Sequence, residues 1–317
     1  MQIKYLAMVD SGYIISFGIS FRRKNMICSA CPRGCNADRK KNTGVCGARE
    51  KYKIARAAPH FWEEPCISGE RGSGTVFFSG CSLGCVFCQN YEVSHRAFGK
   101  EISEDRLMRI FDSLIEKGVH NINLVTPTHY APMLAKTLEK YDSPVPVVYN
   151  SSGYEKVETL KMLEGLVDVY LPDIKYFDSG ISKKYSGAAD YFEFASKAVL
   201  EMFRQVGNLK TDENGIAEKG LIIRHMVLPG NISQTQKIFS WVRENLPEET
   251  FISVMRQYTP FGEAKNMPPI DRPLSSREYS IVKDKIFDLG FENCFFQSKS
   301  SSTEKFIPDF NLEGVDL

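Results

Sequence analysis

Thr75-Val-Phe-Phe-Ser-Gly-Cys81-Ser-Leu-Gly-Cys85-Val-Phe-Cys88-Gln-Asn90 begins as a short apolar run and ends as a loop carrying three cysteines. The apolar run reads as a strand over Thr75–Ser79, so the loop sits at a strand's C-terminal end. Three thiolates spaced C-x3-C-x2-C can hold three irons of a cubane 4Fe–4S cluster and leave the fourth without a protein ligand. A cluster built only for electron transfer takes four cysteines. An open iron can instead bind and activate something. With nine cysteines in 317 residues, this spacing arises by chance about 0.007 times per chain. A structural zinc knuckle or a disulfide pair is the competing reading, but structural zinc takes four ligands and keeps no open position.

The run resembles the signature of the radical S-adenosylmethionine (SAM) superfamily. The resemblance implies that the open iron chelates SAM through its amino and carboxylate groups. It also implies that an electron from the reduced cluster cleaves the sulfonium to give a deoxyadenosyl radical. Phe87 matches the aromatic position before the third cysteine, a neighbourhood that packs on the adenine.

Beyond Gly74, short apolar runs alternate with amphipathic segments, the pattern of a parallel sheet covered by helices. Further strands are expected at Asn121–Thr126, Val145–Asn150, Val167–Ile174, Leu221–Leu228 and Phe251–Tyr258. Helices are expected at Glu104–Lys117 behind a Ser103 cap, and at about Ala131–Tyr141, Glu155–Leu163, Tyr191–Val206, Gln234–Asn245 and Ser276–Leu289. Six βα units are too few for an eight-stranded barrel. They fit an α/β fold with a partial (β/α)6 TIM-like barrel, as the superfamily resemblance also implies over residues 74 to 300. Active sites of such barrels lie at the C-terminal strand ends.

The strand ends carry the expected SAM contacts. The second ends in Thr126-Pro-Thr128, where the superfamily often has a Gly-Gly-Glu-like segment for the SAM amino group; Thr126 and Thr128 are candidates, or form an ordinary turn and cap. The third ends in Tyr149-Asn150-Ser-Ser152-Gly153, similar to the Thr-Asn-Gly segment of glycyl-radical activating enzymes that lies near the ribose and methionine; its polar side chains suit a polar ligand or equally a helix N-cap. The fourth carries Asp173 and Lys175, which share a side of an extended strand and either bind a ligand or pair with each other. The fifth, Leu221-Ile-Ile-Arg224-His225-Met-Val-Leu-Pro-Gly230, resembles a run of pyruvate formate-lyase activating enzyme. Arg224 is read as a fork for the SAM carboxylate or as a structural partner of Asp173, and His225 as structural. At the sixth, Gln257 and Tyr258 are candidates.

A second group, Cys28, Cys31, Cys35 and Cys46, supplies four thiolates among turn-forming Pro32, Gly34 and Gly47. Four cysteines close a site for zinc or for an auxiliary 4Fe–4S cluster, and spacing does not choose between them. Cys66 either replaces one of these ligands or is a buried thiol; Cys294 reads as core. The expected division is an extension over residues 1–27, a loop-dominated Cys-rich metal-binding module over 28–72, and the barrel over 73–317. The two cysteine groups together with the Ala58–Gly74 run look like the pyruvate formate-lyase-activating-enzyme-related radical SAM proteins.

Net charge is +1, which argues against nucleic acid as a partner. The basic runs Arg22-Arg23-Lys24 and Arg39-Lys40-Lys41 read as solvated loops. No apolar stretch approaches the roughly 20 residues of a membrane span, and Tyr13–Phe21 is a poor export signal because its charges follow it. Cysteines in ligand spacings then point to a reducing cytoplasm and to an oxygen-sensitive protein working anaerobically. The function that emerges is a radical SAM oxidoreductase. Its expected substrate is a backbone glycine of a glycyl-radical enzyme, and its reductant a low-potential flavodoxin or ferredoxin-type protein. The alternatives are a radical SAM enzyme acting on a small molecule or another peptide, and a non-enzymatic Fe–S or zinc scaffold.

Overall fold

A computed structural model describes residues 27–298 and 308–316; the expected N-terminal extension, Ile27 aside, lies outside the described residues. Ten strands occur among them: β1 Tyr52–His60, β2 Ser73–Phe78, β3 Lys100–Ile102, β4 Ile122–Val125, β5 Val147–Ser151, β6 Val169–Pro172, β7 Lys210–Thr211, β8 Ala217–Met226, β9 Phe251–Met255 and β10 Cys294–Phe296. They form one sheet in the order β10-β9-β8-β6-β5-β4-β2-β1-β3, with β7 a short hairpin on β8. From β2 to β10 every pairing is parallel. The described residues show no pairing that closes β10 onto the β1–β3 edge, so the barrel is open on one side.

Strands buried on both faces read as unbroken apolar runs, and their helices read as amphipathic ones. In Glu104–Glu116 the Ser103 hydroxyl accepts from the Arg106 amide at 3.2 Å, and Leu107, Ile110, Phe111 and Leu114 are buried. Helix Ser276–Asp288 opens with a Ser275–Glu278 capping box. Between them run Ala131–Leu138, Tyr191–Val206 and Ile232–Asn245, close to expectation. The expected helix over 155–163 shortens to Val157–Leu160 and one 3-10 turn, and an extra helix, Ser179–Ser186, follows β6. None of these is long and apolar enough to cross a membrane.

Two departures concern the sheet. Residues 28–72 are not loop-dominated throughout: β1 is a nine-residue strand antiparallel to β2, from Ile54↔Phe78 to His60↔Ser73. Its alanines and Pro59 carry little strand propensity, and the pairing that holds it comes from β2. The run at Cys294, expected as core, is a seventh parallel strand paired with β9, too short for periodicity to register.

The inner face of the barrel has two layers. Alternation puts Val148 below Asn150, Leu171 below Asp173 and Ile222 below Arg224. The lower layer packs on Cys66 and Ile67 of the short helix Pro65–Ser68. This helix plugs the barrel floor, so Cys66 is a buried core thiol, pushed up to about 12 by burial.

Candidate active site

The C-terminal strand ends converge on the cysteine loop. One cavity is lined by Cys81, Cys85 and Cys88 together with Phe87, Thr126, Asn150, Ser152, Asp173, Lys175, Arg224 and Gln257. These residues come from β4, β5, β6, β8 and β9, the turns just past them, and the loop past β2, and all were expected at the site. Met226 and Met255 complete the wall.

The loop is fixed by its backbone. Gly80 N–H donates to Val93 O at 2.8 Å, Val86 N–H to Tyr185 O at 2.9 Å, and Cys88 N–H to Cys85 O at 3.1 Å. The Cys81 amide donates 3.2 Å to the Cys46 carbonyl, which ties the two cysteine groups together. Glycine is required at position 80: φ is +87°, and a Cβ would stand 2.0 Å from Cys46 O. Two donors already face the thiols, Leu83 N–H to Cys81 Sγ at 3.3 Å and Ser186 Oγ–H to Cys85 Sγ at 3.1 Å. Burial pushes the Cys81 thiol up and that of Cys88 to about 12. Both protons must therefore leave when metal binds.

Among the described residues, no three Cys, His, Asp or Glu side chains converge on a point suited to one metal ion. A cubane needs no such point, since each thiolate binds its own iron, and a single cavity with three thiols fits that demand. Zinc on Cys28, Cys31, Cys35 and Cys46 would need four sulfurs at about 2.3 Å from one centre. These four thiols are free but neighbouring: a Cβ at Gly44 would lie 3.3 Å from both Cys35 Sγ and Cys46 Sγ.

Beside the thiols lies a buried ion network. Lys175 Nζ donates to Asp173 Oδ2, and Arg224 Nε donates to Asp173 Oδ1 at 3.0 Å. Arg224 also donates from Nη1 to Glu63 Oε2 at 2.9 Å and from Nη2 to Asn150 Oδ1 at 2.6 Å. Desolvation alone would raise Asp173, but Lys175 and Arg224 outweigh it and hold its carboxyl below the usual range. The structure thus spends Arg224 on protein acceptors and does not leave it as a free fork.

Thr126 lines the cavity at φ +59°. A β-branched residue in the left-handed region is an outlier, of the kind that collects at functional sites. Thr128 stands apart from the cavity: it is fully buried, and its hydroxyl donates to Glu155 Oε1 at 2.6 Å. The turn after β4 aims it inward, away from a ligand. Phe87 is clamped edge-on by Tyr176, Tyr185 and Tyr258, and the Tyr258 hydroxyl donates to Ile270 O. His225 is structural, its ring nitrogens 2.6 Å from Ile174 O and 2.8 Å from Thr235 Oγ1.

Two groups escaped the sequence reading. Arg33, between Cys31 and Cys35, donates to Ser82 O, Leu83 O, Ser186 O and Gly187 O at 2.5 to 2.8 Å, and locks the Cys-rich segment onto the cluster loop. Glu63 and Glu64 enter the barrel ahead of the floor helix. The adjacent acids in an otherwise apolar stretch were the available signal. Arg39 also leaves its expected solvated loop, with Nη2 3.8 Å from Cys46 Sγ and its guanidinium over Tyr130.

Comparison with known proteins agrees with this geometry. Residues 75–238 match the family model of the radical SAM superfamily. An uncharacterized protein of Methanocaldococcus jannaschii is 32% identical over 260 residues, 79% of this chain and 71% of the relative. Similar solved structures include a domain of pyruvate-formate lyase-activating enzyme from Bacteroides vulgatus (13% identity, TM-score 0.36, 62% of this chain and 91% of that one). Another is Streptococcus suis SuiB bound to S-adenosylmethionine (16%, TM-score 0.45), where the match covers 69% of this chain and 45% of SuiB. The matched family model, over half the chain, and the three-cysteine loop above the first strand of an open parallel barrel place one conclusion beyond the fold: this chain belongs to the radical SAM superfamily.

Proposed function

We propose that this protein cleaves SAM reductively at a 4Fe–4S cluster held by Cys81, Cys85 and Cys88, and that it activates a partner enzyme by hydrogen abstraction from a backbone glycine. The observation that supports it is the single cavity in which the three thiols meet the polar ends of successive strands. When bound, the cluster supplies the electron for sulfonium cleavage and the open iron for SAM. The chain's own residues orient and enclose. Asn150, Ser152 and Thr126 offer polar groups at the cavity wall, Phe87 an aromatic edge, and Met226 and Met255 an apolar face.

The activating role is supported by the likeness of Tyr149–Gly153 and Leu221–Gly230 to activating-enzyme segments. A low-potential flavodoxin or ferredoxin-type reductant in an anaerobic cytoplasm completes this reading. The Cys28–Cys46 group is read as a second site. The main-chain hydrogen bond from Cys81 N–H to Cys46 O sets this group beside the cluster loop; four cysteines suit either zinc or an auxiliary 4Fe–4S cluster, and only the cluster could relay electrons. A second reading, a small-molecule or other peptide substrate, is favoured by the acid-lined cavity treated below.

The test is deoxyadenosine formation from SAM by anaerobically reconstituted, dithionite-reduced protein. Wild type is expected to form it and Cys88→Ala to lose it by at least about a hundredfold, in line with removing a group that the chemistry requires. Tight iron binding with no cleavage, with and without candidate glycyl-radical partners, would leave an Fe–S scaffold instead.

A further inference from the structure

Continuous with the cluster cavity through Asn90, Asn150, Arg224 and Met255 is a larger one of about 490 Å³. It lies between β2 and β10, the first and last of the parallel strands, and is walled by Phe77, Phe295 and Phe296. Its volume lies in the range of small-ligand sites. Among the described residues, its charged groups are Glu63, Glu64 and Arg224, set among neutral polar side chains such as Asn90, Asn150 and Ser253.

The charges there do not balance. Lys175 and Arg224 share Asp173, and Arg224 also holds Glu63. Glu64, with a side chain only 6% exposed, draws on the Ser253 hydroxyl, but its Oε2 has no hydrogen-bond partner, and the nearest cation, Arg224 Nη1, is 3.9 Å away. Among the described residues, two cations therefore serve three largely buried carboxylates. His60, the other titratable side chain among the described residues of the lining, does not supply the missing charge, because burial lowers it to about 4. Burial also raises Glu64 against the pull of Arg224, and Glu63 pushes the same way. An unsatisfied buried carboxylate oxygen beside a cavity is costly unless something that enters satisfies it.

We propose that this cavity is the substrate subsite and that it takes a protonated amine or guanidinium, whose N–H groups donate to Glu64 Oε2 while its carbon skeleton lies against Phe77, Phe295 and Phe296. The assignment of the cation as substrate rests on the radical SAM reading; the binding does not. The head group can be a free amine or the side chain of a peptide, and the probes separate these. Calorimetric titration of the reconstituted full chain with SAM would use n-pentylammonium, its neutral analogue 1-pentanol, and the blocked peptide N-acetyl-glycyl-lysyl-glycinamide. We expect at least one cationic probe to bind, pentanol to bind at least about tenfold more weakly than pentylammonium, and Glu64→Gln to lose a similar factor for the cation. Tighter binding of the peptide than of the free amine marks a peptide source, and the reverse a small molecule. Equal binding of ammonium and alcohol, binding indifferent to Glu64→Gln, or no binding of either cation overturns the proposal. The ammonium–alcohol comparison on the wild-type chain stands even if the variant does not fold. The titration needs no electron and no turnover, so it reads separately from failure of SAM cleavage.

Discussion

Replacing Arg33 by alanine should loosen the cluster loop while the barrel stays folded. The side chain donates four hydrogen bonds to carbonyls on two segments, Ser82 and Leu83 of the cluster loop and Ser186 and Gly187 at the end of helix Ser179–Ser186, and its guanidinium lies 5.7 Å over the Tyr154 ring. Hydrogen bonds from a charged donor contribute about 1.5–3 kcal/mol each when buried. Arg33 is half-buried, and the freed carbonyls regain water, so about 3 kcal/mol is a fair total for the set. At 1.4 kcal/mol per decade, this corresponds to opening roughly a hundredfold more frequent. Hydrogen exchange is the assay. The Val86 amide, bonded to Tyr185 O, and the Gly187 amide, bonded to Lys183 O, should exchange about a hundredfold faster in Arg33→Ala. Amides of helix Glu104–Glu116, which Arg33 does not touch, should not change. Arg33→Lys keeps the charge but not the planar fork, and should fall between. Unchanged protection at Val86 and Gly187, or a loss spread evenly over the chain, would refute the reasoning.

Two further outcomes follow from buried charge. Asp173→Asn strands Lys175 and Arg224 without their shared anion and should cost about 3–5 kcal/mol in a urea titration; a loss below about 1 kcal/mol would show the network to be dispensable. His225 is held neutral by burial, its folded value lowered to about 4. The unfolded chain takes up that proton below about 6.5, so this contribution is complete above 6.5 and is lost as pH falls toward 4, about 3 kcal/mol in all. His60 and His129 are lowered to about 4 as well and titrate in the same window, so His225→Gln should reduce the slope between these limits by about one proton without abolishing it, and an unaltered slope would falsify the assignment.

The sequence by itself determined what depends on neighbours along the chain. Cys81, Cys85 and Cys88 are set by spacing within one loop. The alternation of apolar runs with amphipathic segments, the first of them capped by Ser103, announces the parallel sheet. Asp173 and Lys175 declare a shared side by their i, i+2 placement. Each of these rests on strand or helix periodicity, which is local. The tertiary structure decided what depends on which segments meet. β1 is a strand because β2 lies beside it; its own Ala55, Ala57, Ala58 and Pro59 give it no such claim. β10 is three residues held by β9. Thr128 looked equal to Thr126, but one turn of chain sends its hydroxyl to Glu155 while Thr126 stays at the cavity. Arg224 was legible as a buried cation with Asp173 as one possible partner, yet only the fold adds Glu63 and Asn150 to its acceptors. Arg33 beside its cysteines, and Glu63 and Glu64 as adjacent acids in an apolar stretch, are visible in the sequence, but their partners are not, because Arg33 and Glu63 find theirs roughly 50 and 160 positions away. Burial and pairing of charge are properties of the closed chain, and no local pattern encodes them.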